Sequence, residues 1–212
     1  MNDSQSVKGK RGVDPEKRRR FLEIARRRFV ADGYNRTSIS SIVREAGVAQ
    51  GTFYLYFKNK EALLNDLRRQ VLADYLDVWA RATGTDRAAD ERLLDGLHGL
   101  WGEYGRQQSL ISVFRQAATG EETERQLRAG RRRLAQPLAA LIAAGVSDGV
   151  FVVDEPETAA RMLIAMLYGI FPESDLDRVF PNVARVVLRA LGTPAGRIDA
   201  LMPAVGASDA AD

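Results

Sequence analysis

Phe53 and Phe57 stand at i and i+4, on one face of a short helix, and the opposite face holds Gln50, Gly51, Thr52, Tyr54 and Tyr56. That second face offers hydrogen-bonding and apolar groups without an acid. This is the chemistry that reads base edges in the major groove of DNA. Gly51 lets the start of the helix approach a duplex closely, and the free N–H groups there favour a phosphate. Other chemistries are excluded by what the chain lacks. It contains no cysteine, which removes thiolate metal sites, thiol nucleophiles and disulfides. It contains one histidine, His98, so a multi-histidine metal centre is impossible. No glycine-rich phosphate loop, nucleophile elbow or Ser/His/Asp spacing is present, no acidic loop has calcium-ligand spacing, and no cofactor is expected.

The elements that must position this face can be read from caps and periodicity. A first helix opens at Asp14-Pro15-Glu16. It carries Phe21, Ile24, Ala25 and Phe29 on one side and stops at Asp32-Gly33. Thr37-Ser38 begins a second helix, with Ile42, Val43 and Ala46 as its buried side, and Gly47 breaks it. A third segment runs from Ala49 or Gln50 to about Phe57. Two short helices joined by a turn containing glycine suggest a helix-turn-helix. Asn59-Lys60-Glu61 then opens a long helix with an apolar stripe from Leu63 to about Trp79. The rest also reads as helical, over about 88–104, 107–118, 121–144, 156–170 and 175–191. Val150–Val153 is read as a connector that tucks apolar groups under the bundle.

Charge is divided unevenly. The 212 residues carry a net +3, but residues 1–70 hold 16 Lys+Arg against 8 Asp+Glu, and the remainder hold 15 against 20. A basic head on an acidic body suggests that the head meets a polyanion. No apolar run reaches the ~18 residues of a membrane span, so a cytoplasmic protein without membrane contact is expected.

The stretch FLEIARRRFVADGYNRTSISSIVREAGVAQGTFYLYFKNKEALL, residues 21–64, resembles the DNA-binding domain of the TetR family of transcriptional regulators. The resemblance rests on Phe29–Tyr34, Thr37-Ser38-Ile39, Ile42, Ala46-Gly47-Val48 and Gly51–Leu63. It covers about a fifth of the chain with highly specific spacing. The resemblance implies that Thr37 or Ser38 caps the second helix and touches a phosphate. It further implies that Arg44 reaches backbone or base edge, that Gln50 and Thr52 open the recognition helix, and that Tyr54 and Tyr56 meet phosphate and groove. Lys58 and Lys60 are expected to neutralise phosphates. An arm over residues 1–13, with Lys8, Lys10 and Arg11, together with the Lys17–Arg20 run, would reach along the backbone or into the minor groove.

The same resemblance implies an all-α architecture: a helix-turn-helix domain over 14–60 and a helical ligand-binding and dimerisation domain over 61–191. Residues 192–212, rich in Ala, Gly and Pro, are expected to be a disordered tail. The segment ETAARMLIAMLYGI, residues 157–170, is apolar nearly all round and must be buried on more than one side. It and the stripe Leu176, Val179, Phe180, Val183, Val187 and Leu191 fit the family's dimer bundle. Pro181 either kinks the second of these helices or stands in its first turn. Gly96, Gly99, Gly102 and Gly105 recur every three residues. They either admit a neighbouring helix or leave room for a ligand. Trp79, His98, Trp101, Tyr104, Phe114, Met162, Met166 and Tyr168 are the candidate pocket residues, although each type is more often plain core.

The function expected on these grounds is a homodimeric, sequence-specific regulator of a palindromic operator. It would act as a repressor released by a small-molecule effector. A transcriptional activator, or an architectural DNA binder without an effector site, is the alternative. Enzymatic activity is not expected.

Overall fold

The structure is a computed structural model that describes residues 14–117, 121–170 and 176–205; the basic arm over 1–13 lies outside them. The described residues form α1 (Pro15–Asp32), α2 (Ile39–Ala46), α3 (Gln50–Phe53), α4 (Lys60–Thr83), α5 (Ala89–Gln116), α6 (Glu121–Ser147), α7 (Pro156–Ile170), α8 (Leu176–Ala190) and α9 (Ala195–Val205), with no strand among them. They divide into two compact units. One holds the chain to Arg69 together with Ser109–Ala117, and the other holds Gln70–Gln108 and everything from Ala118 onward. The helices α4 and α5 each contribute residues to both.

The first unit is built from local chemistry. Asp14 accepts from the Glu16 N–H at 2.9 Å and Pro15 takes the first helical position. Gly33 ends α1 at φ +84. Ser38 caps α2 by accepting from the Ser41 N–H at 3.1 Å, and Gly47 closes it in the left-handed region at φ +68. Asn59 caps α4 through the Ala62 N–H at 2.8 Å. The apolar faces so oriented meet around Phe21, whose ring lies edge-on to Phe53 at 5.6 Å and to Phe57 at 6.2 Å. Phe29, Ile42, Leu63, Leu64 and Leu67 complete a buried core. The third helix is shorter than the sequence suggests: regular geometry ends at Phe53 and turns carry the chain to Tyr56.

The second unit buries Leu93, Leu97, Trp101, Ile142, Phe151, Leu163, Leu167, Phe180, Val187 and Leu188 in one cluster. Two expectations are corrected here, and the placement of Pro181 in a first turn is excluded. The two segments expected over 88–104 and 107–118 are one helix, α5, unbroken through Gly105. A Cβ on Gly96 would lie 2.6 Å from the Trp79 ring and 2.8 Å from the Thr83 methyl, and one on Gly99 would lie 2.9 Å from Val78. These two glycines therefore admit α4, and the contact offsets their poor helix propensity. Pro181 lies inside a continuous α8, within its second turn. The segment expected to be a disordered tail contains α9, which buries Ile198 and Leu201; residues 206–212 are outside the described residues.

The connector over 150–153 forms no strand. The Val150 and Phe151 N–H groups both donate to the Gly145 carbonyl, at 2.8 and 3.1 Å, and the Phe151 ring folds back against α6. It sits where a side chain on Gly145 would be, 2.3 Å from a Cβ placed there.

Candidate nucleic-acid interface

Gln50, Gly51, Tyr54 and Lys58 are exposed, Thr52 is half-exposed, and a Cβ on Gly51 would meet nothing within 4 Å. Tyr54 leaves 53% of its surface open and Leu55 leaves 71%. Leu55 was not singled out in the sequence. An apolar side chain between two tyrosines reads as core until the turn after Phe53 is seen to direct it outward. Arg44 and Ser38 are exposed as well, on α2 and at its cap.

Three of the predicted contacts have other occupations. Thr37 is buried, and its hydroxyl donates to the Gly33 carbonyl at 2.9 Å, so Ser38 is the residue that caps α2. Tyr56 is half-buried against Phe21, with ring centroids 5.5 Å apart. Lys60 donates from Nζ to the carbonyls of Tyr34 and Thr37, both at 2.8 Å, and lies 4.3 Å from the centre of the Tyr34 ring. Burial lowers the Lys60 pKa, as expected for an ammonium withdrawn from water. Two of its three donors are spent on fastening the turn in front of α2.

Electrostatics tie α1 to α2. Glu45 is the sole acid between Gly33 and Lys60, and it accepts from both Arg27 and Arg28. The hydrogen bond from Arg27 is the largest effect on the Glu45 carboxyl; with the hydrogen bond from Arg28 and the charges of both arginines, it outweighs the opposing effect of burial and holds the group below its ordinary value. The one carboxylate of the helix-turn-helix is thus neutralised from behind. Asp66 is held likewise by Arg18 and Arg69.

The pocket candidates divide between the two units. Phe114 belongs with the first unit, where its carbonyl accepts from Arg68 at 3.0 Å. In the second, Trp101 and Tyr104 are buried and His98 lies edge-on to Phe180 at 5.3 Å. Met166 packs against the core, whereas Met162 and Tyr168 are turned outward, 68% and 47% exposed. An apolar cavity of about 10 Å³, room for about one water, is lined by Leu76, Trp79, Leu97, Leu100, Leu134, Pro137, Leu138, Ile164 and Leu167. Of the candidates, Trp79 alone lines it. The aliphatic liners carried no distinguishing signal in the sequence, because a leucine facing a cavity and one facing core have the same periodicity. No group of three or more acids or histidines among the described residues could hold a metal ion.

Residues 21–67 match bacterial regulatory proteins of the tetR family, and residues 86–171 match the tetracyclin repressor-like C-terminal domain. Together the two matches span more than half of the chain.

The chain belongs to the TetR family.

Proteins of this family are DNA-binding transcriptional regulators and are non-enzymatic. The Fatty acid metabolism regulator protein of Bacillus subtilis is 34% identical over 82 residues, which is 35% of this chain and 42% of that one. The HTH-type regulator YhgD of the same organism is 22% identical over 178 residues, 83% of this chain and 92% of that one. The chain's match spans less than half the length of the first curated relatives. The fold is shared with the fatty acid degradation regulator FadR from Bacillus halodurans, with TM-score 0.70, 22% identity, and coverage of 81% of this chain and 94% of that one. It is shared also with a transcriptional regulator from Saccharomonospora viridis in complex with choline, with TM-score 0.68, 22% identity, and coverage of 82% and 96%. No helix among the described residues of this TetR-family chain is long and apolar enough to cross a membrane.

Proposed function

We propose that the chain is a homodimeric, cytoplasmic repressor that leaves a palindromic operator when a small apolar molecule occupies its second unit. DNA reading is assigned to residues 14–60. Effector binding and dimerisation are assigned to 61–191, extended by α9. The reading face of exposed Gln50 and Tyr54 and half-exposed Thr52, free of acid, supports base readout by one protomer over a few base pairs. Two copies spaced by about 34–36 Å or slightly more would read successive major grooves. Met162 on α7 and Val186 on α8 are exposed apolar groups with no solvent role, and a second copy of the chain is the partner that would cover them.

The observation that carries the effector reading is the cavity, whose nine lining residues are all apolar. A fatty acyl chain is the class that such walls take best, in keeping with the fatty acid regulators among the relatives. The space must open to admit one. An effector that prefers the opened form by about 1.4 kcal/mol shifts DNA occupancy tenfold. The smallness of the cavity favours a second reading, a DNA binder without an effector. The discriminating experiment uses a duplex selected by the purified protein, with oleate as the probe. Release of the duplex by oleate supports the repressor, tighter binding supports an activator, and no change supports the architectural reading.

A further inference from the structure

Arg68 stands on α4 with its guanidinium divided between two acceptors. Its Nη1 donates to Asn65 Oδ1 at 2.8 Å and its Nη2 to the Phe114 carbonyl at 3.0 Å. The plane of charge lies 5.5 Å from the centre of the Phe114 ring. Phe114 is in the last turn of α5, where helix carbonyls run out of intrahelical donors and the helix dipole is negative. Arg68 therefore caps α5 from another helix. The arrangement is costly: Arg68 Nε is buried without an acceptor, and the hydrogen-bond acceptors of the cation are an amide and a carbonyl, with the Glu61 carboxylate within electrostatic reach. Arg68 also lies within electrostatic reach of Tyr34, whose carbonyl shares the Lys60 ammonium with that of Thr37, immediately before the α2 cap.

We propose that Arg68 is the positioning residue that couples α5 to the DNA-reading helices, fastening the last turn of α5 beside the cluster that holds the turn before α2. The proposal rests on the effector-responsive reading given above. The helix α5 is continuous from Ala89, so a displacement of its earlier turns is delivered to Phe114. Arg68 then passes it to α4 and the Tyr34–Thr37 turn. Residues that merely stabilise the first unit would change its melting but not this transfer.

The test is hydrogen–deuterium exchange on the full chain, with and without the selected duplex. In the unsubstituted protein the duplex slows exchange over 38–57, by contact, and over 89–108, by transfer. In Arg68→Met the response over 38–57 remains and that over 89–108 falls about fivefold or more. Arg68→Lys keeps the cation above the Phe114 ring but cannot bridge both acceptors, and shows the same loss; it decides the matter if Arg68→Met does not fold. A full response over 89–108 in the folded variants overturns the role of Arg68 alone. Absence of any response over 89–108 in the unsubstituted protein overturns the proposal together with the effector-responsive reading.

Discussion

Arg197 meets the carboxylate of Asp90 with two nitrogens, at 2.7 and 3.0 Å, across 107 residues of chain. Asp90 is in the first turn of α5, where a negative charge is favoured, and only 2% of its surface is exposed. Arg197 lies on α9, so the pair fastens the last described helix to the start of α5.

Removing Arg197 leaves a buried carboxylate without its principal partner. Arg197→Ala is expected to cost about 2–3 kcal/mol, less than a fully buried pair because the arginine side chain is 40% exposed. Urea denaturation of the two proteins measures it. Burial alone would raise the Asp90 pKa, but the hydrogen bonds and charge of Arg197 hold it below the ordinary value of 3.8. The native state thus binds the proton more weakly than the unfolded chain does. The resulting stability is fully present above about pH 4 and is lost as pH falls below it. Asp90→Asn should flatten that part of an acid-unfolding curve.

Lys58 and Lys60 are separated by two positions and should behave oppositely. Lys58→Ala removes an exposed cation: the slope of log K against log salt becomes shallower by about 1, with stability nearly unchanged. Lys60→Met breaks two charge-assisted hydrogen bonds to backbone carbonyls and should destabilise the first unit by about 1.5–3 kcal/mol. Fluorescence anisotropy at several salt concentrations, paired with urea melts, separates the two.

The glycines of α5 should divide in the same manner. Gly96→Ala places a methyl against the Trp79 ring and is expected to destabilise by about 1–3 kcal/mol. At Gly102 the nearest atom to an added Cβ is the Arg106 Nη1, at 3.7 Å, an ordinary contact. Gly102→Ala should therefore stabilise by up to about 1 kcal/mol through helix propensity. Thermal unfolding of the pair gives the signs.

Met162→Lys adds a charge to an exposed apolar position on α7. If a second copy covers that face, sedimentation should show a monomer at concentrations where the unsubstituted chain is a dimer, and operator affinity should fall steeply while the fold is kept.

The first unit was legible because short-range chemistry specifies it. Asp14, Gly33, Ser38, Gly47 and Asn59 act on groups within four residues of themselves, so their effect can be read along the chain. The backbone contacts of Lys60 were not legible because its acceptors lie 23 and 26 residues away and are backbone carbonyls, which no residue type advertises. In the second unit α9 was missed for a similar reason. Ala, Gly and Pro suggest a tail, and what opposes one is Arg197's partner on a distant helix. The direction faced by Met162 and Tyr168 depends on where α7 meets its neighbours, which an apolar helix does not reveal.

The ring of Phe151 in the place of the missing Gly145 side chain sets the length of the connection between α6 and α7. Both residues must keep their spacing, since one residue added or lost over 146–150 would carry the ring out of register with its glycine. The connection between α4 and α5 has no such anchor: Gly84 to Ala88 are all exposed. Insertions, peptide tags and grafted loops therefore belong in the second connection and not in the first.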